Sequence, residues 1–372
     1  MSISRRKFLK FSAGTAAVLG VDLFDNPLLR KAFAQAVQET PIIWLAAGAC
    51  SGCSVSLLDA LSPRIQDVLL DQVIPGHHTE LAFHPTVMAA SGDMAMQAMY
   101  ATEQKPFILV VEGSVPTGNG GRYCEVGEKK GEGITGLDHV LRMGKEAKAV
   151  LAVGTCASFG GVPAANMNPT DAKGVRAVFK QYGITTPTIN IPGCAAHPDW
   201  FIATLATILL NGPEAVTLDK DGRPLAIYKK LIHDNCPKRG HFDNGRFAEK
   251  FGDPYCLYKL GCKGPISHSN CPDKRFNGGT NWCIENGHPC NGCVEPEFPF
   301  KQSLWKEVPV HEVTPPASYP PLVTDHRKKV DLTPGYAALA GVAAGVVGTK
   351  VFGKGSSAKG SGDAKRNSEE KE

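Results

Sequence analysis

The sequence carries little net charge for its length. Its 40 lysines and arginines are nearly balanced by 36 aspartates and glutamates, so the formal net charge is only +4. Aromatic residues are scarce, at 8% of the chain, and no basic run is interleaved with them, as happens on many surfaces that bind nucleic acid. We therefore exclude nucleic acid as a partner.

Apolar segments of membrane-spanning length are scarce as well. One uncharged stretch near the C-terminus, rich in Ala and Gly, spans about 25 Å as a helix, the short end of what a bilayer requires. Its Gly341 and Gly345 have the spacing of close helix packing in membranes. We predict a membrane anchor over 333–352, after a Pro-rich linker at 309–332 and before a disordered polar tail at 353–372. The alternative is a buried or amphipathic surface helix.

The N-terminus predicts export. Arg5 and Arg6 precede a mildly apolar stretch at 11–21, and small residues around Ala34 offer cleavage sites, which is the pattern of a twin-arginine signal peptide over 1–36. The alternative is a chance arginine pair before a surface helix. Because the twin-arginine route exports folded proteins, a cofactor can be inserted before export. We expect a location on the periplasmic side of the cytoplasmic membrane.

Between these ends, the chain of 372 residues, 42% of them hydrophobic, can bury a sizeable core. Short apolar runs alternate with helical patterns over 41–215, which predicts an α/β domain with a doubly wound parallel sheet. The predicted strands are 42–47, 107–111, 149–153 and 188–191, and the predicted helices are 55–61, 87–101, 136–143, 172–182 and 200–210.

Cysteines follow three of these predicted strands. Cys50 and Cys53 come after the first strand, Cys156 after the third and Cys194 after the fourth. Ligands of doubly wound sheets gather outside the carboxyl ends of the strands. We therefore expect these four thiols to converge on one point.

Residues 225–308 differ from the preceding domain. The periodic pattern of apolar residues is weaker there, and Gly, Pro, Asn and Cys are more frequent. Seven of the 12 cysteines lie there. A segment of about 80 residues with little apolar core usually needs disulfides or metals to stabilise it. We predict an irregular, loop-rich domain.

Three kinds of chemistry can account for so many cysteines. An exported protein with an even cysteine count is ordinarily disulfide-bonded, and sites of three or four thiolates suit Zn²⁺. The pairs Cys50/Cys53 and Cys290/Cys293 enclose a two-residue gap with Gly, which lets the backbone turn around a metal. Single cysteines from distant loops, several beside Pro or Gly, are typical of iron–sulfur clusters. An exported zinc- or disulfide-stabilised interaction module without redox function is the alternative.

The number of ligands fits iron–sulfur chemistry. Eleven cysteines plus His233, which precedes Cys236 by three residues, make twelve ligands, enough for three four-ligand clusters, with Cys124 left over. Several clusters in one chain indicate a path for electrons.

Seven motifs follow one another in order along nearly the whole chain. They are Cys50-Ser51-Gly52-Cys53, Glu112-Gly113-Ser114-Val115-Pro116, Gly154-Thr155-Cys156-Ala157-Ser158, Pro192-Gly193-Cys194, His233-Asp234-Asn235-Cys236-Pro237, Cys256-Leu257-Tyr258-Lys259-Leu260-Gly261-Cys262-Lys263-Gly264-Pro265 and Gly287-His288-Pro289-Cys290-Asn291-Gly292-Cys293. In this order the motifs resemble those of the small subunit of nickel–iron hydrogenases. The resemblance implies a flavodoxin-like domain followed by an iron–sulfur domain, a large partner subunit with the Ni–Fe centre, and a membrane electron acceptor such as a cytochrome b or a quinone-linked subunit. A Ni–Fe–Se partner is equally compatible, because the selenium would lie in the large subunit.

The resemblance also implies three cluster sites and a polar residue at the subunit interface. Glu112 would belong to a loop at that interface, or be a plain polar loop residue. The proximal 4Fe–4S cluster would use Cys50, Cys53, Cys156 and Cys194, the distal 4Fe–4S cluster would use His233, Cys236, Cys256 and Cys262, and the medial cluster would use Cys271, Cys290 and Cys293.

Four positions depart from related sequences. Oxygen-tolerant members carry extra cysteines where this chain has Gly52 and Gly161, so an ordinary proximal cubane is implied. Many members have Glu where this chain has Val55. Many also have Pro where this chain has Cys283, and their medial cluster has three irons. A fourth thiolate predicts a medial 4Fe–4S cluster here, or a 3Fe–4S cluster if Cys283 is not a ligand.

Overall fold

The computed structural model describes residues 38–60, 64–65, 77–299, 303–310 and 319. All of these residues belong to one compact unit. The predicted signal peptide, membrane anchor and polar tail lie outside them, as does most of the predicted linker. Within the described ranges, no helix has the length and apolar character needed to cross a bilayer.

Among the described residues, nine strands form one large sheet and two short antiparallel pairs. Runs of Val, Ile, Leu and Ala form buried parallel strands of the large sheet, because both of its faces are covered. The strands are β1 (Gln38–Ala46), β2 (His77–Phe83), β3 (Ile108–Glu112), β4 (Val115–Pro116), β5 (Glu125–Lys129), β6 (Glu132–Thr135), β7 (Ala149–Val153), β8 (Ala172–Lys173) and β9 (Thr188–Ile191).

The large sheet is parallel throughout and has the order β2-β1-β3-β7-β9. Numbered among themselves, its strands follow the order 2-1-3-4-5, which is that of flavodoxin-like sheets. The order reverses between β1 and β3, and ligands of such sheets bind at that switch point. The predicted doubly wound α/β fold is confirmed.

Helices cover both faces of the sheet. Successive residues of a strand point to opposite faces, so Ile42 and Trp44 pack with α1 and α6, whereas Ile43 and Leu45 pack with α2, α3 and α5. The helices are α1 (Gly52–Leu57), α2 (Gly92–Glu103), α3 (Gly136–Glu146), α4 (Gly154–Phe159), α5 (Val175–Tyr182), α6 (Pro198–Asn211), α7 (Leu225–Tyr228), α8 (Arg239–Asp243) and α9 (Cys271–Lys274).

The segment after α6 has few regular elements, as the sequence predicts. Up to residue 310, its described part contains the short helices α7 to α9 and several single 3₁₀ turns. Its buried apolar residues, such as Ile232, Leu257 and Trp282, join the core on the α1 and α6 face of the sheet. The loop-rich segment is therefore held against the sheet by a shared core.

Some boundaries differ from the sequence prediction. Helix α1 begins at Gly52, three residues earlier than predicted, so it includes Cys53. Helix α2 begins at Gly92 and not at 87, because Ser91 before it has extended backbone. Strand β2 and the β5–β6 hairpin were not predicted.

Candidate metal centres

Four predicted thiols meet at the carboxyl edge of the sheet. Cys50 and Cys53 follow β1, Cys156 lies in α4 directly after β7, and Cys194 follows β9. We call these four residues the proximal set. Cys50 and Cys194 are exposed, whereas the other two are half-buried.

The pKa values of these thiols show that they are close neighbours. Burial raises the pKa of Cys53 to about 12, and the thiolates of Cys194 and Cys156 raise it further. Burial likewise raises the pKa of Cys156 to about 11, with Cys194 and Cys50 adding to the effect. Bare thiolates are disfavoured in this environment, so a bound cation is what would keep these sulfurs deprotonated.

Two glycines bring the backbone close to the proximal sulfurs. At Gly154, where φ is +86°, a Cβ atom would lie 2.5 Å from Cys53 Sγ. At Gly161, where φ is +53°, it would lie 2.8 Å from Cys156 Sγ. Both positions require the positive φ that glycine adopts without strain.

A second group of donors lines one cavity in the loop-rich segment. It consists of His233, Cys236, Cys256 and Cys262, and we call it the distal set. The Gly264 N–H group donates to Cys262 Sγ at 3.4 Å. Cys236 Sγ accepts in the same way from the Lys238 N–H group, also at 3.4 Å. Hydrogen bonds of this kind stabilise negative charge on sulfur.

His233 is prepared to act as a ligand. Its Nε2 is buried and has no hydrogen-bond partner among the described residues. Burial lowers the pKa of His233 to about 4, and repulsion from Arg239 contributes. The imidazole is therefore neutral at neutral pH, with a lone pair available in a cavity that also contains three thiols.

A third group of thiols, the medial set, consists of Cys271, Cys283, Cys290 and Cys293. Burial raises the pKa of Cys271 to about 12, and the Cys283 thiolate raises it further. Burial is also the main cause of the raised pKa of Cys293, with Cys271 and Cys283 adding to it. The Ser269 hydroxyl donates to Cys271 Sγ at 2.8 Å, and the Gly292 N–H group donates to Cys290 Sγ at 3.4 Å.

The medial set lies between the other two. On one side, the backbone N–H of Cys194 hydrogen-bonds to the Cys293 thiol. On the other side, the Lys263 N–H group donates to the Cys290 carbonyl at 2.7 Å, directly after Cys262 of the distal set. The medial set therefore adjoins both the proximal and the distal set.

No cysteine is paired with another in the structure. All twelve cysteines lie within the described ranges and are free thiols. Across those ranges, no three His, Cys, Asp or Glu side chains converge on a single metal-ion position.

Two other predicted residues have different surroundings. Cys124 is half-buried and outside the three sets; burial raises its pKa, and so does Glu125. Glu112 is not a loop residue, because it ends strand β3 and is 2% exposed. Its carboxylate accepts hydrogen bonds from Trp44 and Ser54. Sequence reasoning missed both partners.

A buried ion-pair network supports the loop that contains Cys293. The Arg223 side chain is 4% exposed, and its Nε lies 2.7 Å from Asp219 Oδ2. Its Nη1 lies 3.2 Å from Glu295 Oε2 and donates to the Val294 carbonyl at 3.0 Å. Arg223 thus links the segment after α6 to the residues that follow the last cysteine.

Replacing Arg223 with Met is expected to lower the free energy of unfolding by about 3–5 kcal/mol, because it removes the cation that pairs with Asp219 and Glu295, which are only 13% and 11% exposed. Urea unfolding of the purified protein measures the change. Lys274→Met is the matched control, since the Lys274–Asp199 pair is 47% and 38% exposed and its loss should cost at most about 1 kcal/mol. Equal losses in the two variants would contradict the assignment.

Comparisons with known proteins place the chain in a family. A family model for the C-terminal part of the NiFe/NiFeSe hydrogenase small subunit matches residues 228–306. A second, described as NADH ubiquinone oxidoreductase, 20 Kd subunit, matches residues 50–208. The second match begins after β1 and includes the proximal set, and the first includes the distal and medial sets.

Similar proteins match over most of their length. The chain is 43% identical over 316 residues to the periplasmic NiFeSe hydrogenase small subunit of Desulfomicrobium baculatum, covering 82% of this chain and 98% of that protein. It is 38% identical over 315 residues to the quinone-reactive Ni/Fe-hydrogenase small chain of Wolinella succinogenes, covering 81% and 84%. A solved structure of the D. baculatum NiFeSe hydrogenase aligns with a TM-score of 0.68 and 43% identity, over 73% of this chain and 100% of that one. The chain belongs to the NiFe/NiFeSe hydrogenase small-subunit family.

Proposed function

We propose that this chain is the electron-transferring subunit of a periplasmic hydrogenase bound to the cytoplasmic membrane. Three iron–sulfur clusters, one on each set, would carry electrons from H₂ oxidation in the large subunit to a membrane acceptor such as a cytochrome b or a quinone-linked subunit. The Ni–Fe or Ni–Fe–Se centre would lie in the large subunit. Domain 41–215 would hold the proximal set, and domain 225–308 the medial and distal sets.

The contacts between neighbouring donor sets carry this proposal. Cys194 contacts Cys293 at one junction. At the other, the N–H group of Lys263, which directly follows Cys262, donates to the Cys290 carbonyl. A path for electrons needs such neighbouring sets, whereas a storage or purely structural role does not.

The donor chemistry fits iron–sulfur clusters in each set. Buried thiols with raised pKa values need cations to stay deprotonated, and N–H groups aimed at sulfur stabilise the charge that remains. The unpartnered Nε2 of His233 completes a four-donor set with three thiols. In the medial set the fourth donor would be Cys283.

The proximal edge has the properties of a subunit interface. Val55 and Leu58 are both 59% exposed and lie within a few residues of Cys53. Val162, near Cys156, is 49% exposed. Exposed apolar side chains around exposed ligands indicate that a partner covers this edge, and the large subunit is the partner we propose.

The sequence and the names of relatives support the proposed location. The predicted twin-arginine signal at 1–36 and anchor at 333–352 lie outside the described residues. One similar protein is named periplasmic and another quinone-reactive, which supports a periplasmic enzyme with a membrane acceptor. Fractionation of cells that express an Arg5→Lys, Arg6→Lys double variant would test the export route.

Metal analysis of the co-purified pair of subunits tests the function directly. We expect brown protein with roughly twelve irons and matching sulfide per small subunit, and H₂-dependent reduction of a dye. The matched pair of variants is Cys194→Ser, in the proximal set, and Cys124→Ser, outside all three sets. Only Cys194→Ser should lose iron and dye reduction. Colourless, zinc-containing or iron-free wild-type protein would overturn the proposal.

Replacing His233 with Cys is expected to keep a distal cluster but to lower its midpoint potential, because thiolate donates more electron density than imidazole. Turnover with the membrane acceptor should slow. A redox titration followed by electron paramagnetic resonance (EPR) measures the shift. Unchanged distal potential and unchanged turnover would argue against His233 as a ligand.

A further inference from the structure

The Glu112 carboxylate is fully hydrogen-bonded inside the protein, next to the proximal set. Its Oε1 accepts from the backbone N–H groups of Cys53 and Ser54, at 3.0 and 3.2 Å. Its Oε2 accepts from Trp44 Nε1–H at 2.9 Å and from the Ser54 hydroxyl. Four donors occupy the lone pairs of both oxygens, so the site is built for a carboxylate. A glutamine side chain at this position would place its own NH₂ group opposite two of these donors, and two donors cannot form a hydrogen bond with each other.

His84 fixes the direction of the Ser54 hydroxyl. The His84 Nδ1 accepts from the Thr86 N–H group at 3.1 Å, so the proton of the neutral ring sits on Nε2. That Nε2 lies 3.2 Å from Ser54 Oγ and donates to it, which leaves the hydroxyl proton to donate to Glu112. The ring also stacks on Trp44, with 5.1 Å between centroids. Three side chains from separate elements thus hold one carboxylate.

The charge of this carboxylate lies beside a proximal ligand. The hydrogen bond of 3.0 Å from the Cys53 N–H group to Oε1 places the carboxylate directly against the backbone that carries the Cys53 sulfur. A fixed anion this close to a ligand disfavours an added electron on the cluster, because like charges repel. Reduction potentials of such clusters depend on this local charge.

We propose that Glu112 is a positioning residue that holds Cys53 in place and, through its fixed negative charge, lowers the reduction potential of the proximal cluster. Trp44, Ser54 and His84 keep the carboxylate in position. The inference rests on the proposed function, since it requires a cluster on the proximal set. The inference identifies a residue that lowers the reduction potential of the proximal cluster without being one of its ligands.

The test compares Glu112→Gln, which removes the charge, with Glu112→Asp, which keeps it. Each variant is purified as the complex of small and large subunits, and the midpoint potential of each cluster is measured by redox titration followed by EPR. Glu112→Gln should raise the proximal midpoint and leave the medial and distal midpoints unchanged. Glu112→Asp should stay close to wild type. Asp138→Asn, a neutralised carboxylate in the capping box of α3, should change none of the three.

The comparison stays decisive if Glu112→Gln loses the proximal cluster. Loss in Glu112→Gln with retention in Glu112→Asp would show that the charge holds the Cys53 loop, and would support the inference. Identical behaviour of the two variants, whether both keep the wild-type midpoint or both lose the cluster, would overturn it. A wild-type complex without a proximal four-iron signal would defeat the proposed function as well, so the two failures are distinguishable.

Discussion

Alanine in place of Gly154 is expected to leave a folded complex without its proximal cluster. The added Cβ would lie 2.5 Å from Cys53 Sγ, a separation at which one of the two atoms must move. Gly154 begins α4 at φ +86°, and the fixed end of β7 precedes it, so the backbone cannot move away easily. Cys53 is therefore the group displaced, and a displaced ligand cannot share a cluster with Cys50, Cys156 and Cys194.

Gly183→Ala is the matched control for this variant. Gly183 ends α5 at φ +69°, but a Cβ there would meet no atom of the described residues within 4 Å. Both variants therefore lose about 1–2 kcal/mol of stability, because alanine is strained in a left-handed backbone conformation. Only in Gly154→Ala does the added methyl group also clash with a sulfur atom, that of Cys53.

Iron content and EPR of the purified complexes measure the difference. Gly154→Ala should lose roughly a third of the iron, since one of three clusters is lost, and H₂-dependent dye reduction should fall close to zero. Gly183→Ala should keep its iron and its activity, with a slightly lower melting temperature. Full iron content in Gly154→Ala would contradict the role given to Gly154.

The central strands could be predicted because burial on both faces leaves a simple signal. Strand β7 is a continuous apolar run, and β3 is one up to Glu112, so their sequence alone indicates buried strands of a parallel sheet. Strand β2, at one edge of the sheet, gives no such signal, because it mixes polar with apolar residues. The β5–β6 hairpin is mostly exposed and rich in charged residues, so its sequence has no apolar pattern that would predict a strand.

The clustering of the cysteines could also be predicted from the sequence. Pairs of cysteines separated by two residues that include Gly are typical of metal or cluster ligation. The position of such cysteines after predicted strands indicates that they come together at the carboxyl edge of the sheet. The surroundings of Glu112 could not be predicted, because Trp44, Ser54 and His84 are separate polar or aromatic residues with no common spacing. Only the fold, which places β1, α1 and the end of β2 side by side, brings them to one carboxylate.

Cys283 is the residue for which the sequence makes its most specific prediction. The Cys283 thiolate contributes to the raised pKa values of Cys271 and Cys293, after burial, so it lies with the medial thiols. Burial raises the pKa of Cys283 itself, although the residue as a whole is exposed. Its carbonyl accepts from the His288 N–H group at 2.9 Å, which connects it to the loop before Cys290. We therefore expect Cys283 to supply a fourth thiolate that retains a fourth iron.

Replacing Cys283 with Pro is expected to convert the medial cluster from four irons to three and to raise its midpoint potential, because cluster type and charge set the potential. EPR of the oxidised complex measures the change: wild type should lack a three-iron signal, and Cys283→Pro should show one at a stoichiometry of about one per complex. Cys283→Ala separates loss of the thiol from any effect of Pro on the backbone, and Cys124→Ser, which removes a thiol outside the three sets, should match wild type. A stoichiometric three-iron signal in intact wild-type protein would refute the prediction, because Cys283 would then be a thiol beside the cluster and not a ligand of it.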